Sequence, residues 1–116
     1  MIRVGVVGAA GRMGATACAA VAADSALQLV AAIDTTGDVT AQGVPIGREL
    51  KALAEAQADV VVDFTVAAAA RVTLPWLALH GVHAVVGTTG FSDTDLATFK
   101  QQFTRSNCLI APNFAI

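Results

Sequence analysis

Charge is scarce in this sequence: 14% of its 116 residues are Asp, Glu, Lys or Arg, and nine acidic against seven basic side chains leave a net charge of -2. With no basic block, the chain lacks the electrostatic footprint that nucleic acid or an anionic membrane surface attracts. Cysteine and histidine are rare too, at two each. Cys18 and Cys108 lie in apolar patterns, without a C-x-x-C or His-rich partner to make a metal or redox pair, and read as buried thiols. Long apolar runs are missing although 55% of the residues are hydrophobic. Glycine, proline or a charged residue breaks every run well short of the ~18 residues a membrane-spanning helix needs. The one basic residue near the N-terminus, Arg3, sits inside a strand-like run, so neither a signal nor a transit peptide is indicated and a cytoplasmic location is expected. Internal repeats and low-complexity linkers are absent.

What remains is mostly small and apolar, with a mean hydropathy of +0.65. Alanine and valine dominate, as suits a sheet buried under helices on both faces. The length accommodates one domain with a real core, and residues 1–116 are read as a single unit. Residues 2–7, IRVGVV, make a valine-rich buried strand; Met13, Ala17, Ala20 and Val21 then fall on one face of a helix ending near Ala23. Residues 27–33 form a second strand, ending at Asp34. From Thr35 to Gly47 there are four punctuating residues, Gly37, Gly43, Pro45 and Gly47, and no periodicity, which predicts a long loop.

Residues 48–57 predict a short helix with Leu50, Leu53 and Ala54 on its buried face, and 59–64, DVVVDF, a third strand. The helical pattern over 67–80 contains Pro75, which removes a backbone donor and predicts a kink or a fresh start near Leu74. Residues 82–86 form a fourth strand; Ser92 and Asp95 then make a capping-box pattern before a helix whose Leu96, Phe99 and Phe103 share a face. Residues 107–111 complete about five strands. No two strands are joined by a hairpin-length turn, so the expected fold is α/β: a Rossmann-type, doubly wound parallel sheet with right-handed crossovers.

Gly8, Gly11 and Gly14 form G-x-x-G-x-x-G between a strand and a helix. Such a turn needs a tight bend, a backbone open to a pyrophosphate and a close helix–strand contact, with amides at the helix N-terminus facing the anion. A tight turn without ligand satisfies the same glycines. Asp34 lies 20 residues after Gly14, where a carboxylate accepts hydrogen bonds from the adenine ribose, or simply starts a turn. Arg12, Thr35 and Thr36 are candidates for the 2′-phosphate of NADPH, although Arg12 also reads as a solvated helix-start arginine. Use of both NADH and NADPH is the expectation.

Three further turns follow strand ends and converge on the edge where open α/β sheets bind ligands: Phe64 with Thr65, Gly87 to Thr89, and Pro112 to Phe114. Each alone is as well read as a cap or a turn. His80 and His83 precede the fourth strand and so belong to the opposite edge; Asp63, with no partner evident, reads as structural.

With GAAGRMG, VDFT, VVGTTGF and APNFAI in this order, the chain resembles the N-terminal domain of the dihydrodipicolinate reductases, enzymes of the diaminopimelate route to lysine. The resemblance covers nearly the whole chain and rests most on VVGTTGF with APNFAI. It implies that Gly8, Ala9, Ala10, Gly11, Arg12 and Met13, with Gly14, hold the pyrophosphate of NADH or NADPH, and that Asp34, followed by Thr35, takes the adenine ribose. It also implies that Phe64 and Thr65 line the cofactor cleft, that Gly87, Thr88 and Thr89 lie along the nicotinamide ribose, and that Ala111, Pro112, Asn113 and Phe114 lie near the nicotinamide. Where some members carry a basic residue just after the acidic one, this sequence has Thr35.

The family continues past APNFAI into a substrate domain with an HH-x-x-K segment and a DAPSGT loop, and then a returning helix. None of these motifs occurs in the 116 residues. The chain is therefore expected to be the cofactor half of a longer reductase, with no catalytic residue and no metal site of its own. A small-molecule cofactor is its expected partner, with homotetramer formation through the further domain and self-association of the isolated chain. Two other functions fit the same residues: the cofactor domain of another amino-acid dehydrogenase, and a stand-alone nucleotide-sensing module.

Overall fold

Strand β1 (Ile2–Val7) occupies the middle of the sheet, paired in parallel with β2 (Leu27–Ile33) on one side and β4 (Val60–Asp63) on the other. The structure is a computed structural model describing residues 1–111. Its six strands run β3-β2-β1-β4-β5-β6, where β3 is Ile46–Gly47, β5 His83–Val86 and β6 Cys108–Ile110. The four helices are α1 (Arg12–Ala23), α2 (Lys51–Glu55), α3 (Ala67–Leu79) and α4 (Asp93–Gln102).

Alternation along the central strands divides the core into two layers. Val6, Ala32 and Ala9 pack with Cys18 of α1 on one face. Val7, Ala31, Ile33 and Val61 pack with Leu53 of α2, Leu74 and Leu77 of α3, and Phe99 of α4 on the other. Leu53, Leu74 and Leu77 are fully buried, and each contributes about 2 kcal/mol of apolar burial. Both faces being covered, the strands carry the apolar runs that parallel sheets require.

Several expectations change. The sheet has six strands, because the segment read as an unstructured loop returns at Ile46–Gly47 to pair with β2 through Ala32 and Ile33. A bridge between Val39 and Pro45 closes the loop's own turn. Helix α2 is shorter than expected, and Ala54 faces outward while Leu53 carries the burial. The buried face of α1 is Gly14, Cys18 and Val21; Met13 and Ala20 are exposed. Helix α3 runs through Pro75 without a fresh start at Leu74. Its buried residues, Ala70, Thr73, Leu74, Leu77 and Ala78, lie on both sides of Pro75, and the donor that proline lacks would have faced the carbonyl of the exposed Arg71.

Helix α4 begins as expected. Ser92 Oγ accepts from the Asp95 amide (3.1 Å) and Asp95 Oδ2 from the Ser92 amide (2.9 Å). Arg71 of α3 clasps Asp95 through Nε and Nη2, which, with the cap, holds the Asp95 carboxyl down at about 2. Phe99 is buried and Phe103 half-buried, whereas Leu96 stays exposed. Cys18 is buried as expected; Cys108 is only partly so.

The chain moves outward from β1 to β2 and β3, then crosses back to β4 and outward again to β6. The reversal lies between β1 and β4, so the turns after these two strands flank the crevice where open α/β sheets take ligands.

Candidate functional site

The turn after β1 contains three glycines with different reasons for being glycine. Gly8 has φ +87°, and its amide and that of Ala9 both donate to the Ile33 carbonyl, at 2.8 and 3.1 Å. A Cβ on Gly14 would run into the Gly8 carbonyl, so the start of α1 lies directly on the turn. At Gly11 a Cβ would meet only Gly8 O, at an ordinary 3.5 Å. Among the described residues nothing therefore demands glycine there. Gly11 is the exposed N-cap of α1, with φ -75° and ψ 169°, no side-chain cap, and no acid in the first turn. The amides of Arg12 and Met13 consequently open onto free space, a ready anion cradle. Arg12 and Ala10 are exposed beside it, while Ala9 points inward.

Asp34 closes the second side. Its Oδ2 accepts from the Ala10 amide (2.8 Å) and its Oδ1 from the Thr35 amide (2.6 Å), tying the end of β2 to the glycine turn. A carboxylate has about four acceptor positions; the Thr35 hydroxyl takes a third at 3.4 Å, so one remains for a ligand hydroxyl. Beside it opens a cavity of about 240 Å³, walled by Asp34, Thr35 and Arg48 on one side and by Ala69 and Val72 of α3 on the other. Val72 is 67% exposed, an apolar side chain facing a mostly apolar cavity, suited to one face of a planar ring.

Sequence reasoning missed Arg48, Ala69 and Val72. Arg48 follows β3, and recognising that β3 pairs with β2 is the one signal that would have carried it to Asp34.

The third side is made by the turns after β4 and β5. Asp63, fully buried, accepts at Oδ1 from the Thr65 amide (2.9 Å), the Thr65 hydroxyl (2.6 Å) and the Thr88 hydroxyl (3.0 Å). Its backbone carbonyl takes the Gly87 amide at 2.9 Å. The residue read as structural, with no partner evident in the sequence, thus joins both turns. Burial lifts its carboxyl above the ordinary 3.8 although the Thr65 and Thr88 bonds oppose the rise, and Oδ2 has no partner among the described residues. Burial, aided by the Asp63 charge, also pushes the Cys108 thiol up to about 11, a poor nucleophile.

Because both threonine hydroxyls turn inward to Asp63, Thr65 and Thr88 present mainly backbone to the crevice. Thr89 is exposed, and Phe64 is half-buried, its amide donating to the Val7 carbonyl at 2.9 Å.

Ala111 is held next to this turn by its amide bond to the Val86 carbonyl, 2.9 Å. Pro112, Asn113 and Phe114 lie outside the described residues. The histidines are elsewhere: His80 stacks on Trp76 with centroids 3.8 Å apart, and His83 Nδ1 accepts from the Asn107 amide at the start of β5. Among the described residues no three His, Cys, Asp or Glu side chains converge as a metal site would require.

A parallel sheet whose order reverses beside a glycine turn, with an uncapped helix N-terminus and an acidic residue at the next strand end, defines a Rossmann-type nucleotide-binding domain. The sequence places it more narrowly. The family described as "Dihydrodipicolinate reductase, N-terminus" matches residues 2–114, and the chain belongs to that family. It is 45% identical over 118 residues to a 4-hydroxy-tetrahydrodipicolinate reductase from Corynebacterium aurimucosum, covering 99% of this chain and 43% of that protein. A reductase of the same name from Methanothermobacter thermautotrophicus is 40% identical over 134 residues, covering 100% of this chain and 49% of the relative. The solved, dipicolinate-bound dihydrodipicolinate reductase from Paenisporosarcina sp. TG-14 matches with a TM-score of 0.89 at 29% identity, over 99% of this chain and 48% of that one. The chain spans less than half the length of these relatives.

Proposed function

We propose that this chain is the cofactor-binding part of a 4-hydroxy-tetrahydrodipicolinate reductase and binds NADH or NADPH across the carboxyl ends of β1, β2, β4 and β5. The observation that carries the reading is Gly11: among the described residues its missing Cβ would make no more than an ordinary contact, with Gly8 O, and the α1 N-terminus stands open to an anion. The residues present fit the cofactor part by part. Gly8 to Gly14 and the free amides of Arg12 and Met13 hold the pyrophosphate, Asp34 accepts from the adenine ribose, and Val72 with Ala69 covers the adenine. Gly87 and Thr89, with Ala111, line the nicotinamide half, the turns after β4 and β5 being joined by Asp63.

When bound, the nicotinamide supplies a hydride; the protein's share is to position it and to exclude water. By likeness to its relatives we assign the whole protein a cyclic dicarboxylate substrate, an acid and a substrate site outside these residues, homotetrameric assembly and a cytoplasmic location. No helix among the described residues is long and apolar enough to cross a membrane. The 116-residue chain alone should bind nucleotide and catalyse nothing. Titration with NADH and NADPH tests the reading, with Gly11→Val as the variant that should abolish it.

Self-association of this chain is expected through β6, the sheet edge, where Leu109 is 61% exposed. Light scattering should show mass rising with concentration, less so in Leu109→Lys; a monomer throughout would contradict it.

A further inference from the structure

We infer that Arg48 is a specificity-determining residue that lets this acidic ribose site accept the 2′-phosphate of NADPH; the inference rests on the nucleotide reading above. A site closed by Asp34 alone disfavours NADPH, because the carboxylate repels a second anionic group at the ribose. The structure supplies a counter-charge that the local sequence around Asp34 lacks. Arg48 Nη1 donates to the carbonyls of Asp34 (3.2 Å), Thr36 (3.3 Å) and Ile46 (3.5 Å), and Nη2 donates to that of Gly37 (2.7 Å). One guanidinium is thereby pinned to the backbone of the acidic residue itself and to the loop that follows.

Two features turn this from loop bracing into a charge device. First, all four acceptors are neutral carbonyls, and among the described residues Arg48 has no carboxylate partner, so no ion pair neutralises its charge. Second, Arg48 and Asp34 are the two charged residues lining the 240 Å³ cavity. These four bonds leave Nε and one Nη2 hydrogen unused, and guanidinium has five donors in a plane suited to phosphate. Arg12, exposed at the start of α1, is the other candidate for this phosphate; Arg48 is the arginine that lines the cavity with Asp34.

The test is calorimetric titration of NADPH and NADH into the full chain, as wild type, Arg48→Met and Arg48→Lys, at low and high salt. Arg48→Met should raise the Kd for NADPH about tenfold and that for NADH no more than about twofold, as expected for loss of one charge-assisted contact. The difference should shrink in high salt, where exposed charges are screened. Arg48→Lys, which keeps the charge and loses the fork, should fall between; it carries the comparison if the Met variant does not fold cooperatively. Equal weakening of both cofactors would make Arg48 a loop brace and overturn the proposal, as would no change in either. Wild-type protein that binds neither nucleotide would overturn the nucleotide reading as well, whereas binding of both with unchanged selectivity in the variants would defeat the Arg48 assignment alone.

Discussion

The Thr88 hydroxyl donates to the buried Asp63 carboxylate at 3.0 Å, across the ends of two adjacent strands 25 residues apart in sequence. The same hydroxyl accepts the Thr65 amide at 3.1 Å. One side chain thus fixes the spacing of the two turns that flank the nicotinamide half of the proposed site. Thr88→Val, nearly the same in volume, removes both bonds and should destabilise the protein by about 1–3 kcal/mol. Urea unfolding measures this; a loss below about 0.5 kcal/mol would mean that the two turns are held by their backbones alone.

The Asp63 carboxyl should also leave a signature in pH. Its folded value is raised above the ordinary 3.8, mainly by burial. The folded state therefore holds the proton more tightly than the unfolded chain. Stabilisation from this group is full below about 3.8 and is lost as pH rises through the raised value. Urea unfolding of wild type and Asp63→Asn across that window should give a stability difference that moves against wild type as pH climbs, other titrating groups cancelling in the comparison. A difference that stays flat would place the proton elsewhere.

Much of this architecture is legible in the residues, and the gaps have physical causes. The strands β1, β2, β4 and β5 and the capping box at Ser92 announce themselves through apolar runs and a local pattern. The α1 face was displaced by one position because its alanines are nearly equivalent on every side; what orients the helix is Gly14 resting on the Gly8 carbonyl, a contact across the turn. Two residues, Ile46 and Gly47, are too few to show a period, and β3 exists by pairing with Ala32 and Ile33. Asp63 and Thr88 meet through strand register, which sequence spacing does not display. The glycine turn and Asp34 were readable because their spacing is local to one strand–helix–strand unit.

Asp34→Asn removes the negative charge at the ribose side. Asparagine keeps one acceptor oxygen, enough for the Thr35 amide, and gives up the bond to the Ala10 amide. Affinity for NADH should fall several-fold, with that for NADPH unchanged or improved, a shift of about 1 kcal/mol in relative affinity. Fluorescence titration with both cofactors reads the ratio, and an unchanged ratio would remove Asp34 from the ribose.

The central claim is that the α1 N-terminus holds the pyrophosphate, and Gly11 is the position where protein stability and ligand affinity come apart. Gly11→Val places its Cβ at an ordinary distance from Gly8 O, so the fold should lose only about 1 kcal/mol from the poorer N-cap. Calorimetric titration of NADH and NADPH should show saturable binding to the wild-type chain and at least a tenfold loss in a Gly11→Val variant that still melts cooperatively. No binding to the wild type, or equal affinity in the folded variant, would contradict the account.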